Sequence, residues 1–261
     1  MQETLNIALI QTDLVWENST ENRKNLTKKI EGIVEAVDVV ILPEMFSTGF
    51  TMNAEAVAET MNGETVNWMK QLAFKLNTAI VGSLVITEHN KFYNRLLFVE
   101  PSGKITHYNK RHTFTLVGEE KIYTPGENKV IVDFKGWKIC PLICYDLRFP
   151  VWTRNVEDYD VLIYVANWPT PRISAWDTLL KARAIENMSY CIGVNRVGID
   201  GVNSNYSGHS AVYNVLGEEI STIKPNEEYI EIVTLEKRHI SAYRNKFKFL
   251  NDRDAFTLKE V

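Results

Sequence analysis

The feature that narrows the fold most is a set of short strand-like runs, each stopping abruptly at a charged or reactive side chain. Asp38 to Pro43 (DVVILP) stops at Glu44, Ile105 to Asn109 (ITHYN) at Lys110, and Ile139 to Ile143 (ICPLI) at Cys144. Apolar runs of this length, bounded by turns, read as buried strands. Stretches of helical spacing lie between them. One follows a cap at Asn18 or Ser19 and carries Leu26, Ile30, Ile33, Val34 and Val37; another carries Val66, Met69, Leu72, Ala73 and Leu76; a third carries Ile173, Trp176, Leu180, Ala184 and Met188. Other connections read as hairpins: 92–100 with 105–109 around Pro101–Lys104, 130–134 with 137–143 around Lys135–Gly136, and 208–214 with 218–223 around Leu216–Gly217. Alternation of strands and helices, interrupted by hairpins, predicts an α/β (mixed α+β) fold with a mixed sheet, or two sheets, and helices outside. Pro141 sits awkwardly inside its strand, because proline removes a ladder donor; an edge or a bulge is expected there. With no repeat and no linker, a single domain is expected over 1–261. Its charged, aromatic-bearing tail at 236–261 is expected to be extended and docked on a surface.

Charge and cysteine usage exclude several classes. The formal net charge of −4 over 261 residues, with no basic run interleaved with aromatics, gives nucleic acid no footprint. No apolar stretch is long enough to span a bilayer, so no membrane partner is expected. The first residues, MQETLNIALIQ, lack the basic and long apolar regions of a secretory signal, and three cysteines is an odd count for a disulfide framework. A cytoplasmic protein is expected. Cys140 has no second Cys or His pair at ligand spacing, so no metal is expected. Cys191, at the start of a buried run, reads as core.

A carboxylate, an ammonium and a thiol each stand where a strand stops. If those strands lie side by side, Glu44, Lys110 and Cys144 meet at one rim. There they can serve as base, oxyanion stabiliser and nucleophile. The lysine is expected to lower the thiol pKa. Each residue also has a plain structural reading: a solvated loop carboxylate, a surface lysine, a small core cysteine. His112, two residues past Lys110, invites a Cys–His reading but fits a loop brace as well, and Arg183 with Glu186 fits an ordinary pair on one helix.

The segments LPEMFSTGF, YNKRH, ICYDLRFP, ANWP, KARAIEN and YSGHS, in that order, resemble the carbon–nitrogen hydrolase (nitrilase) superfamily, and the resemblance spans essentially the whole chain. It implies an α-β-β-α four-layer sandwich, usually a homodimer that the C-terminal segment crosses. It also implies a Glu44–Lys110–Cys144 catalytic triad, no cofactor, and a further substrate-positioning glutamate after the lysine. That glutamate matches Glu119, with Glu120 as the alternative. The run NWPTPRISAWDTLLKARAIEN with NRVGIDGVNSNYSGHS is most similar to bacterial omega-amidases. Such enzymes hydrolyse, with water, the terminal amide of small 2-oxo dicarboxylic acid monoamides such as 2-oxoglutaramate and 2-oxosuccinamate. Another small amide or an N-carbamoyl compound is the alternative substrate, and an inactive binding protein on the same fold is a third reading. Tyr145, Asn167 and Trp168 are expected at the substrate. A carboxylate on the far end of the substrate calls for an arginine, whose planar fork fits it bidentately. Arg172 after NWPTP is the first candidate and Arg196 after IGVN the second.

Overall fold

The computed structural model describes residues 2–258. The first sheet has six strands: β1 (Thr4–Gln11), β2 (Val39–Ile41), β3 (Ala79–Glu88), β4 (Lys91–Val99), β5 (Ile105–Asn109) and, closing the other edge, β13 (Tyr229–Glu236). Their order is β13-β1-β2-β3-β4-β5, with β1, β2 and β3 parallel and the remaining pairs antiparallel. The second sheet has β6 (Val132–Phe134), β7 (Trp137–Ile143), β8 (Val161–Ala166), β9 (Tyr190–Asn195) and β12 (Ala211–Tyr213), in the order β12-β9-β8-β7-β6 with β7, β8 and β9 parallel. β10 (Val197–Ile199) and β11 (Asn205–Ser207) form a separate ribbon. The helices are α1 (Ser19–Glu31), α2 (Ala54–Val57), α3 (Glu64–Leu76), α4 (Pro150–Thr153), α5 (Ile173–Asn187) and α6 (Lys237–Phe247).

Period-2 alternation along β1 sorts the layers. Leu5, Ile7 and Leu9 point into a core shared with Ile139, Val161, Ile163 and Val165 of the second sheet. Ala8 and Ile10 point the other way, onto Leu26 and Ile30 of α1 and Val66 and Met69 of α3. On the far side, Trp176 and Leu180 of α5 press against Gly193 of β9, where a Cβ would come within 2.5 Å of Leu180. The result is the expected four layers: helices, sheet, sheet, helices. Among the described residues no helix is long and apolar enough to cross a membrane.

Several local expectations need correction. α1 ends at Glu31 with Gly32 as its cap, so the stripe does not continue: Ile33 and Val37 pack partly on the core, but Val34 is 92% exposed. Pro141 lies in an interior strand. β6 pairs with β7 only as far as Ile139, so at Pro141 one flank carries no ladder and the missing donor is tolerated. The stretch at 218–223 forms only a single bridge, Tyr213 to Glu219, rather than a strand. Much of the tail is helical instead of extended: α6 spans Lys237–Phe247, while residues 259–261 lie outside the described residues. α6 buries Ile240, packs Tyr243 on the core, and sends Arg244 to the carbonyls of Met188 and Tyr159.

Candidate active site

Four chain segments deliver the site, two from each sheet. β2 leads through Leu42 and Pro43 to Glu44, and β5 leads straight to Lys110. β7 leads to Cys144, and β8 leads to Asn167 and Trp168. At two of these strand ends the backbone adopts positive φ: Met45 at 43° and Cys144 at 42°. A non-glycine residue in this region carries strain, held in place by its surroundings. At Met45 the hold is Ser83 Oγ, which accepts from Met45 N at 2.8 Å. At Cys144 it is a tight 3-10 turn over Cys144–Arg148. The Lys110 carbonyl accepts from Gly126 N at 2.8 Å. Only glycine fits that approach, because a Cβ at 126 would stand 2.2 Å from the Asn109 carbonyl.

Glu44, Lys110 and Glu119 form one buried cluster. Lys110 Nζ donates to Glu44 Oε1 at 2.9 Å and to Glu119 Oε2 at 2.9 Å, and the three side chains are at most 1% exposed. Glu119 therefore stands at the lysine while Glu120 faces solvent. Asn94 of β4 donates to Glu44 Oε1 at 2.7 Å. Asn167 secures the same glutamate twice: its backbone N–H donates to Oε2 at 2.9 Å and its side-chain amide to the Glu44 carbonyl at 2.6 Å. With every oxygen of Glu44 engaged, its position is fixed before any ligand arrives.

As expected, Lys110 lowers the thiol pKa, but other groups outweigh it. Burial pushes the Cys144 thiol well above its ordinary range, and the charge of Glu44 and a hydrogen bond to it push the same way. Burial works against the Lys110 ammonium, yet the charges of Glu119 and Glu44 outweigh it and raise its pKa. Burial raises the Glu119 carboxyl, against the pull of Lys110. Glu44 and Glu119 thus share the Lys110 ammonium beside the Cys144 sulfur, an arrangement able to accept a proton from sulfur.

Cys144 and Lys110 open onto a cavity of about 540 Å³. All the expected substrate-side residues line it: Tyr145, Asn167, Trp168 and Arg172. One lining residue was not anticipated. Arg148, at the end of the cysteine turn, lies over the Trp168 ring with its guanidinium carbon 4.9 Å from the centroid. Arg172 lies over Phe114 at 5.1 Å. Among the described residues neither guanidinium has a carboxylate partner. Arg196, the second candidate, is not brought to the cavity. It is fully buried, pairs with Asp13 at 2.6 Å, and also donates to the Val197 and Leu14 carbonyls. His112 donates its backbone N–H to Asp146 and stacks on Phe149, so it braces the loop.

The family model for carbon-nitrogen hydrolases matches residues 6–245. The chain belongs to the carbon-nitrogen hydrolase family. Curated carbon-nitrogen hydrolase relatives include the omega-amidase YafV of Escherichia coli K12, 44% identical over 254 residues, spanning 97% of this chain and 98% of that one. The 2-oxoglutaramate amidase of Bacillus subtilis is 32% identical over 220 residues, spanning 82% and 85%. Among solved carbon-nitrogen hydrolase structures, a Xanthomonas campestris member with an arsenic adduct in its active site superposes with a TM-score of 0.96. It is 39% identical and covers 99% of this chain and 100% of that one.

Proposed function

We propose that this carbon-nitrogen hydrolase is an omega-amidase. It hydrolyses the terminal amide of 2-oxoglutaramate and related 2-oxo dicarboxylic acid monoamides to the acid and ammonia. The supporting observation is the pairing, in one cavity, of a buried thiol beside Glu44, Lys110 and Glu119 with two guanidinium groups that, among the described residues, have no carboxylate partner. A substrate with an amide at one end and a carboxylate at the other suits both features. The similarity to omega-amidase YafV and to a 2-oxoglutaramate amidase points the same way.

In this reading Glu44 takes the thiol proton as Cys144 sulfur attacks the amide carbon. The oxyanion is held by the Lys110 ammonium and the Tyr145 backbone N–H. The C–N bond breaks and Glu44 returns the proton to the leaving ammonia. Water then attacks the thioester, Glu44 again acting as base, and the acid leaves with the thiol restored. Glu119 holds Lys110 charged and in place. Arg172 and Arg148 hold the distal carboxylate against Trp168 and Phe114. No cofactor takes part. We also propose one domain over 1–261, a cytoplasmic location suited to three free cysteines, and a homodimer that buries the tail from about Tyr243 to Phe256.

A panel of small amides and N-carbamoyl compounds, scored by ammonia release, tests this. The expected result is a kcat/KM for 2-oxoglutaramate at least about tenfold above that for neutral amides of similar length, the worth of one charge-assisted contact. A neutral amide or an N-carbamoyl compound turned over better would move the substrate assignment to that class. No ammonia from any compound would leave a binding protein.

A further inference from the structure

Behind the cysteine turn lies a polar cluster that touches no part of the cavity. Asp146 is fully buried, and its two oxygens collect four donors. Oδ2 accepts from Ile143 N at 3.0 Å and from the Tyr108 hydroxyl at 2.8 Å. Oδ1 accepts from His112 N at 3.1 Å and meets His112 Nδ1 at 2.8 Å. The Tyr108 oxygen accepts in turn from Arg111 N at 3.2 Å and from Trp152 Nε1 at 3.1 Å. Closing the turn on itself requires only the bond to Ile143. The other three donors come from Tyr108 and His112, the residues two before and two after Lys110.

A buried carboxylate is costly unless its lone pairs are filled, and here they are filled mostly by a second chain segment. The two segments come from different sheets, β5 and β7, with no ladder between them. The turn that starts at Cys144 ends at Arg148, so its placement carries both the thiol and one of the cavity's guanidinium groups. From the other side Arg183 of α5 donates to the Leu147 carbonyl at 2.6 Å and holds the same turn.

We propose that Asp146 is a positioning residue: through Ile143, Tyr108 and His112 it sets the distance between the Cys144 sulfur and the Lys110 ammonium. This rests on Cys144 being the nucleophile. The test is a double-mutant cycle in kcat and KM between Asp146→Asn and Lys110→Met, on whichever amide the wild-type protein turns over best. Asp146→Asn is expected to lower kcat about tenfold to hundredfold with KM within about threefold, as for small misplacements of a reacting group. Lys110→Met is then expected to cost at least about threefold less in the Asp146→Asn background, because the lysine no longer meets the oxyanion well there. A folded Asp146→Asn protein with kcat within about twofold of wild type would overturn the proposal, and so would strictly multiplicative losses. If circular dichroism shows Asp146→Asn unfolded, Tyr108→Phe, which removes one donor and no charge, enters the same cycle with the same two readings. Turnover retained by Cys144→Ala would instead remove the nucleophile assignment on which this rests.

Discussion

Each residue of the site is held by more bonds than its position on a strand end requires. Lys110 is the only cation between two fully buried carboxylates, so removing its charge leaves Glu44 and Glu119 facing each other unneutralised. Arg148 and Arg172 are different: they contact aromatic faces and, among the described residues, have no anionic partner, the state of groups that await a ligand. Arg172→Ala and Arg148→Ala are each expected to raise KM for 2-oxoglutaramate about tenfold to hundredfold, the worth of a charge-assisted bond of ~1.5–3 kcal/mol. A neutral amide should be nearly unaffected by either change. Steady-state kinetics on both substrates separate this from a fold defect, which would damage both equally. Glu44, Lys110 and Cys144 were legible in the sequence because reactive side chains at strand ends stand out against apolar runs. Arg148 was not, since a tight turn after a strand does not announce which way its fifth residue points. Arg196 misled because its partner, Asp13, lies 183 residues away.

At the scale of elements, the existence of strands and helices could be read but their ends could not. The apolar stripe of α1 runs on past Gly32 in spelling only. The glycine ends the helix, and Val34 falls outside the stripe into solvent. α6 was missed for the opposite reason: its apolar positions, Ile240, Tyr243 and Phe247, do fall at helical spacing, but the lysines and arginines between them mask the pattern. The hairpin of β4 and β5 was plain from its turn, and β4 also carries Asn94, which donates to Glu44. That asparagine, with its neighbour Arg95, is polar in a strand that is apolar from Leu96 to Val99. In β4 the side chains from Asn94 to Val99 are all buried, so a polar member there needs a partner. The partner, however, lies in the turn after β2.

For the whole molecule, the decisive fact is the face-to-face packing of two sheets. Glu44 and Lys110 leave the first sheet while Cys144 and Asn167 leave the second, and the cavity opens where those ends meet. No local pattern encodes that meeting; it follows from the core shared by the inner faces. The same packing leaves an apolar surface at the tail. Tyr243, Phe247 and Phe249 stack in series at 5.9 Å and 5.1 Å, while Phe249 and Phe256 are 55% and 42% exposed. Exposed apolar side chains of this kind suit the proposed dimer interface. Light scattering at micromolar concentration is expected to give a dimer, and removal of 247–258 to give a monomer; a monomeric full-length chain would contradict the dimer proposal. The covalent step is open to a single observation on the intact protein. Enzyme mixed with 2-oxoglutaramate and quenched in acid should show, by mass spectrometry, the mass of the acyl group added to the peptide that carries Cys144, and Cys144→Ala should show neither adduct nor ammonia. Ammonia released steadily by Cys144→Ala, or an adduct mapped to Cys140 or Cys191, would contradict a mechanism through Cys144.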